Sequence, residues 1–350
     1  MKHRIIPVFI PHHGCPHRCV FCDQRTITGV ARPPGGAEVA ALIRECLAAP
    51  RPDGAWEIAF YGGSFTCLPA ARQTELLAPA KAALDRGEIS AIRLSTRPDA
   101  IDRQTLDRLI AHGVGTVELG AQSLDDAVLA AAARGHTAAH TAAAAAALRA
   151  AGLKCGLQLM PGLPGEDWPS LIATTIRTLA LAPDFIRIYP AVVLAGTELA
   201  ALAAAGVYRP LALEAAVARA AYIKNTCENN GIPAIRVGLQ ASAELSGGAV
   251  LAGPYHPAFG AMVEAYLFKI LIAGLLEQTG RPRPDAILIR HHPRDASAVR
   301  GINNANLLGW AKTYRLAGCR LVPDWPRRGE IAVVQRNLTY ILNKAMIFST

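Results

Sequence analysis

The sequence predicts an α/β fold of parallel strands, and three observations carry that prediction. Short β-like runs alternate with helix-like segments through the first two hundred of the 350 residues. Six such runs recur at intervals of roughly 25–50 residues, which suits strand–helix–strand units and is too long for hairpins. The runs are nearly continuous in apolar residues, as strands covered on both faces are.

Each element follows from its residues. IIPVFI (5–10) opens the series, followed by a cysteine-rich loop and a helix around Ala37–Ala49. EIAFY (57–61) leads to a helix around Ala70–Asp85, AIRLS (91–95) to one around Asp102–Ala111, and TVELG (116–120) to one over Asp125–Ala133. The run TAAAAAALRAAG lies in a helix over Ala138–Ala151, because alanine is the best helix former and Gly152 supplies a stop. KCGLQLM (154–160), a helix over Asp167–Leu181 and DFIRIY (184–189) complete the series. Right-handed connections leave two arrangements, a sheet that curls toward a barrel or one that stays open and doubly wound. After about residue 200 the alternation fades, although Glu214–Asn230 reads as a helix and IPAIRVG (232–238) as a strand. A soft boundary therefore divides a unit at 1–205 from a smaller C-terminal α/β extension at 206–350, rich in Pro, Arg and His.

Composition narrows the class. Hydrophobic residues make up 51% and charged residues 18%, which excludes a disordered chain. No apolar run reaches the ~18–20 residues that cross a bilayer. The most apolar, AYLFKILIAGLL (265–276), carries Lys269 and reads as a buried helix. Pro7 and Pro11 interrupt the apolar N-terminal run, so a cytoplasmic location with no membrane contact is expected. The net charge of +9 is uneven, since residues 281–350 hold twelve Lys or Arg against four acids. Such a footprint suits a polyanion, RNA above all, or an acidic small molecule; an Arg-rich solvated surface is the alternative.

Five of the eight cysteines, Cys46, Cys67, Cys155, Cys227 and Cys319, are scattered singly and read as small buried hydrophobes of a reducing compartment. The stretch HHGCPHRCVFCDQ (12–24) differs, placing Cys15, Cys19 and Cys22 at C-x3-C-x2-C. Three thiolates at this spacing can hold three irons of a [4Fe–4S] cube and leave the fourth iron open. Zinc with His12, His13 or His17 as fourth ligand is the competing reading. Ligands of parallel α/β sheets bind at the carboxyl ends of the strands. There the chain places the cysteine loop, Gly62-Gly63-Ser64, Ser95-Thr96-Arg97, Gln122 and Met160-Pro161-Gly162, so one site ringed by strand ends is expected. A further stretch, AGPYHPAFGAMVEA (252–265), offers Tyr255 and His256 as substrate-side candidates on a lid, or as part of a rigid surface turn.

These motifs together resemble the radical S-adenosylmethionine (SAM) enzymes. The resemblance implies a partial (β/α)6 TIM-like barrel with a [4Fe–4S] cluster on Cys15, Cys19 and Cys22 and SAM on the open iron. It implies that Phe21 packs near the adenine and that the backbone of Gly62, Gly63 and Ser64 approaches the methionyl amino group. Glycine suits that turn because it lets backbone come close to a ligand. YGGSFT (61–66), STRPDAID (95–102), VELGAQSLDD (117–126), ARGHT (133–137), MPGLPG (160–165) and IRIYPAVVLAGTEL (186–199) are similar to segments of the Elongator catalytic subunit (elongator subunit 3). The oxygen-independent coproporphyrinogen oxidases share a looser version of this frame. That likeness implies that Ser95, Gln122, Arg134 and Gln158 meet the ribose and carboxylate of SAM. The alternatives are a helix cap for Gln122, surface ion pairs for Arg134 and a satisfied strand amide for Gln158.

Departures qualify the likeness. Ser95 stands where the relatives usually carry Glu, and Gln158 where the porphyrin branch carries Asp. The first cysteine gap is much shorter than Elongator's, and the chain leaves no room for Elongator's acetyltransferase domain, so acetyl-CoA-dependent chemistry is not expected. What the resemblance does imply is reduction of the cluster by a flavodoxin or ferredoxin, cleavage of SAM, and hydrogen abstraction from a substrate by a 5′-deoxyadenosyl radical. RNA, in particular tRNA, is the expected substrate class. A small anionic metabolite, or a non-catalytic zinc or iron–sulfur module, are the other readings.

Overall fold

Parallel strands need long crossovers, and the chain supplies helices for them. The computed structural model describes residues 3–11, 14–24, 28–30, 32–48, 54–240, 245–279 and 286–348. In chain order the elements are β1 (His3–Phe9), α1 (Gly36–Ala48), β2 (Ala55–Tyr61), α2 (Ala70–Asp85), β3 (Ala91–Thr96), α3 (Arg103–Ala111), β4 (Val114–Gln122), α4 (Asp126–Ala131), α5 (Ala138–Ala150), β5 (Lys154–Leu159), α6 (Trp168–Leu181) and β6 (Phe185–Ile188). There follow β7 (Val193–Leu194), α7 (Glu198–Ala204), α8 (Leu213–Asn229), β8 (Ala234–Val237), β9 (Val250–Ala252), α9 (Phe259–Gln278) and β10 (Ala286–His291). The last elements are α10 (Ala296–Arg300), α11 (Ala305–Tyr314), β11 (Gly318–Val322), β12 (Glu330–Gln335) and β13 (Leu338–Asn343).

The six expected strands all form and lie side by side in chain order. A seventh, β8, pairs in parallel beyond β6, so the sheet extends past residue 205 to Val237. Its apolar run is short, interrupted by Arg236 and preceded by two helices, and these features hide the alternation in the sequence.

Side-chain contacts inside the sheet show that it curls. Arg187 Nη2 on β6 donates to Tyr61 Oη on β2 at 2.8 Å. Those strands are four places apart, about 19 Å on a flat sheet at ~4.8 Å per strand, farther than the two side chains can span. The partial barrel closes around a buried polar network. Glu118 Oε1 accepts from Arg93 Nη1 (3.1 Å), from Arg187 Nη2 (2.9 Å) and from Tyr61 Oη (3.3 Å). Arg93 Nη2 also donates to Glu57 at 2.6 Å. Two carboxylates and two guanidiniums leave this floor without net charge. Burial and the Glu118 charge raise the pKa of Tyr61, which keeps its hydroxyl protonated.

The opposite faces of the same strands are apolar. Ile58 and Phe60, Ile92 and Leu94, Val117 and Leu119, and Ile186 and Ile188 are all buried in the main core. The apolar C-terminal helix is longer than its sequence signal, since α9 runs twenty residues instead of about twelve. By length and composition alone it could cross a membrane. Here Val263, Leu267, Phe268, Ile272 and Leu276 are buried in the core, and α9 packs against α8, β8, α10 and α11. Beyond it, a small sheet has the order β11-β10-β12-β13, parallel only between β10 and β11.

Removing Glu118 leaves two buried guanidiniums without their shared partner. Glu118→Ala is expected to cost about 3–5 kcal/mol in urea unfolding, the usual penalty for breaking a buried ion pair from one side. A loss below about 1 kcal/mol, typical of an exposed pair, would contradict this account of the barrel floor.

Candidate active site

Between Gly14 and Asp23 the cysteine loop crosses the carboxyl ends of the strands without helix or strand, so contacts with its neighbours must hold it. Val20 and Phe21 are buried in a second apolar cluster with Val128, Met160, Leu163, Leu199 and Tyr208. Two backbone bonds pin the loop there, from Val20 N–H to Ala132 O (3.2 Å) and from Leu199 N–H to Val20 O (2.7 Å). Gly14 closes the other side. Its φ is +78°, and a Cβ there would lie 2.4 Å from Ser64 O and 3.1 Å from Leu68 N, so only glycine allows this approach.

Two of the three thiols meet residues from other loops, and the third meets a residue of its own loop. Cys15 Sγ donates weakly to Ser64 Oγ after β2, at 3.7 Å. Arg134 Nη1, in the segment after α4, donates to Cys19 Sγ at 3.0 Å. Gln24 Nε2 donates to Cys22 Sγ at 3.4 Å. Burial pushes the Cys22 thiol up to about 12, against the opposing effects of the Gln24 hydrogen bond and the Arg134 charge. Three free thiols, with N–H donors aimed at the sulfurs of Cys19 and Cys22, fit a cluster that takes three thiolates. His17, one of the imidazoles offered for zinc, is seated by Gly135, where a Cβ would lie 2.5 Å from its ring. His12 and His13 lie outside the described residues.

The other sequence candidates divide. Gly62 has φ +93° and Ser64 is buried, which puts the Gly62-Gly63-Ser64 turn against the cysteine loop. Gln122 is buried at a register shift of β4, with φ +68°. Its Oε1 accepts from Gln158 Nε2 at 3.0 Å, so these two residues form one pair. Gln122 is not a helix cap, because Asp125 caps α4 by accepting from the Ala127 and Val128 N–H groups. Arg134 is no surface residue, being 6% exposed with Nη2 donating to Gly120 O at 2.6 Å, and it makes no ion pair among the described residues. Ser95 is half-buried on β3, in register with Glu118 of the floor network. Tyr255 and His256 lie beside Pro190, Val192, Gly238 and Leu239, at the ends of β6 and β8. His256 Nδ1 accepts from Ala258 N–H at 3.0 Å, which fixes the turn.

Sequence reasoning placed Arg97 at a strand end without a role and missed two further residues of this site. Arg97 is buried, bonded to Asp99 by two contacts of 2.9 Å, and donates to the carbonyl of Arg134 at 2.6 Å. His136 is buried with its Nε2 3.3 Å from Ala121 O, and burial with the Arg134 and Arg97 charges pushes it down to about 4. Cys67, read as a buried hydrophobe, is half-buried beside the site. Burial and Asp99 raise its pKa, and its neighbours include Ser64 and Cys15. A charged residue at a strand end was the available signal for Arg97; nothing local marks Cys67.

Comparison with known proteins decides the family. Residues 9–175 match the Radical SAM superfamily and residues 183–269 its C-terminal domain. The chain belongs to the radical SAM superfamily. It is 31% identical over 138 residues to a tRNA uridine(34) acetyltransferase of Methanocaldococcus jannaschii, covering 39% of this chain and 26% of that one. It is 29% identical over 210 residues to MJ0486 of the same organism, covering 57% and 64%. The matched stretch thus spans about a quarter of the first relative and somewhat under two thirds of the second. In fold, the chain is similar to Methanocaldococcus infernus Elp3 with an N-terminal deletion. The TM-score is 0.59 at 21% identity, covering 79% of this chain and 63% of that one. Membership implies a [4Fe–4S] cluster and SAM, and the cysteines, the glycine turn and the strand-end residues all lie within the superfamily match.

Two measurements probe the site's construction. Gly135→Ala forces the His17 ring aside at a left-handed position, at an expected cost of at least about 1 kcal/mol, and should lower iron uptake by the reconstituted protein. In a His17→Ala background the cost should shrink; an equal cost in both backgrounds would separate Gly135 from the cysteine loop. His136 is expected to shape the pH response. Between pH 6.5 and about 4 the unfolded chain protonates this histidine while the folded chain does not, so stability falls as pH drops through that window. His136→Asn should flatten that slope in urea unfolding, and an unchanged slope would refute the assignment.

Proposed function

We propose that this chain reductively cleaves SAM and uses the resulting radical to modify RNA, with tRNA as the favoured class. The observation that carries the reading is the meeting of the cysteine loop with the turn after β2 and the segment after α4, with Ser64 at Cys15 and Arg134 at Cys19. Cys15, Cys19 and Cys22 would hold the cluster. Held there, a cluster would supply an electron to the sulfonium of SAM, whose cleavage gives methionine and a 5′-deoxyadenosyl radical.

The chain's own residues supply position and exclusion. The backbone of Gly62-Gly63-Ser64 can come close to the methionyl group, while Gln122, paired to Gln158, presents amides toward the ribose and Ser95 lies on the strand beside them. Phe21 and its apolar neighbours shield the loop from water. A low-potential flavodoxin or ferredoxin would deliver the electron.

RNA is favoured by the names of the relatives and by charge. In the C-terminal region Asp295, Asp324 and Glu330 are paired with Arg328, Arg290 and Arg327. Arg294, Arg300, Lys312, Arg315 and Arg320 are exposed. A polyanion would meet these side chains first.

Anaerobic incubation with SAM, dithionite and fractionated cell RNA tests both parts. The protein should release 5′-deoxyadenosine, and the triple variant Cys15→Ala/Cys19→Ala/Cys22→Ala should release none. tRNA binding should weaken with salt, and charge-removing variants at Arg300, Lys312 and Arg315 should reduce the log–log slope by about one for each phosphate no longer neutralised. Binding that ignores salt, or product formed only with a small-molecule extract, would refute the RNA reading.

A further inference from the structure

Arg134 stands apart from the other arginines of the site because its charge is directed at a thiol. Arg97 has its own carboxylate, Asp99, at 2.9 Å through two contacts. Arg134 instead directs Nη1 to Cys19 Sγ at 3.0 Å and Nη2 to the Gly120 carbonyl at 2.6 Å. Its backbone is held as well, since its carbonyl accepts from Arg97 Nη2 at 2.6 Å. Gly120 makes room for the guanidinium, because a Cβ there would lie 3.3 Å from Arg134 Nη2 and 2.9 Å from Gln122 Nε2. Only 6% of the residue is exposed, and its Nε is buried without a hydrogen-bond partner among the described residues. His136, a titratable neighbour, has its Nε2 3.3 Å from Ala121 O, and burial with the Arg134 and Arg97 charges lowers its pKa.

A fixed, buried positive charge with an N–H on sulfur has a definite electrostatic consequence. Reduction adds negative charge to a cluster, and hydrogen bonds to its sulfurs together with local charge set its potential. In a site of low dielectric, solvent and salt screen such a charge little. We propose that Arg134 is a tuning residue for the cluster, donating a charge-assisted hydrogen bond to the Cys19 thiolate and raising the cluster's reduction potential toward the reach of its electron donor. This rests on the cluster assignment made above and adds to it a role distinct from any contact Arg134 makes with SAM.

The test is a mediated redox titration of the anaerobically reconstituted full chain without SAM, followed by electron paramagnetic resonance, with iron counted per chain. Arg134→Gln is expected to keep its iron and to show at least a tenfold lower reduced-to-oxidised ratio at a fixed solution potential. That is a shift of about 59 mV toward negative values for a one-electron couple. Arg134→Lys, which keeps the charge but not the forked geometry, should recover part of the shift. Loss of iron from Arg134→Gln alone, with Arg134→Lys loaded and close to wild type, would also support a charge acting on the thiolate. Equal midpoints in wild type and Arg134→Gln would overturn the proposal. So would loss of iron from both variants, since the residue would then only hold the loop. Wild-type protein that takes up no iron would instead defeat the cluster assignment itself.

Discussion

The contact between Arg187 and Tyr61, shared with Glu118, determines how this sheet curves, and the site depends on that curvature. In a flat sheet the loops after the first, second and fourth strands would stand in a row spread over about 14 Å, at ~4.8 Å per strand. Because β2 and β6 are drawn together through buried polar side chains, those loops converge over the mouth of the partial barrel. A neutral set of two carboxylates and two guanidiniums does this without leaving an uncompensated charge beneath the site. The constraint is mutual dependence, for removing any one of the four charged residues leaves a net charge among these side chains.

Above that floor, construction passes from strands to single contacts. The cysteine loop has apolar anchors on one side and a glycine closure on the other, with polar partners reaching each thiol. The chain of contacts from Asp99 through Arg97 to the Arg134 backbone, and from the Arg134 guanidinium to Cys19, ties the loop after β3 to the cysteines. Rigidity of this kind suits a centre where the chemistry belongs to a cofactor and the protein's task is to position it and exclude water.

Much of this was legible in the sequence, for identifiable reasons. Strand runs such as EIAFY and AIRLS announce themselves because one face of each is packed on helices, and the cysteine trio announces itself by spacing. Convergence of the strand ends followed from the rule that parallel sheets bind ligands there. What stayed hidden depends on distant pairing. Glu118 stands openly inside VELG, but its partner Arg187 lies 69 residues away. Arg134 and Cys19 are 115 residues apart, and no local pattern relates a guanidinium to a thiol at that distance. Gln122 is equally suited by sequence to capping a helix, a role that Asp125 fills in the fold. The seventh strand was visible as a strand but was assigned to the extension, because two helices separate it from its neighbour in the sheet.

If three cysteines hold the cluster, one coordination position is left for SAM. Mössbauer spectroscopy of the anaerobically reconstituted chain, labelled with iron-57, tests this most directly. Addition of SAM is expected to change the signal of one iron in four and leave the other three in place. Four equivalent irons unaffected by SAM, or a protein that binds zinc and no iron, would contradict the account.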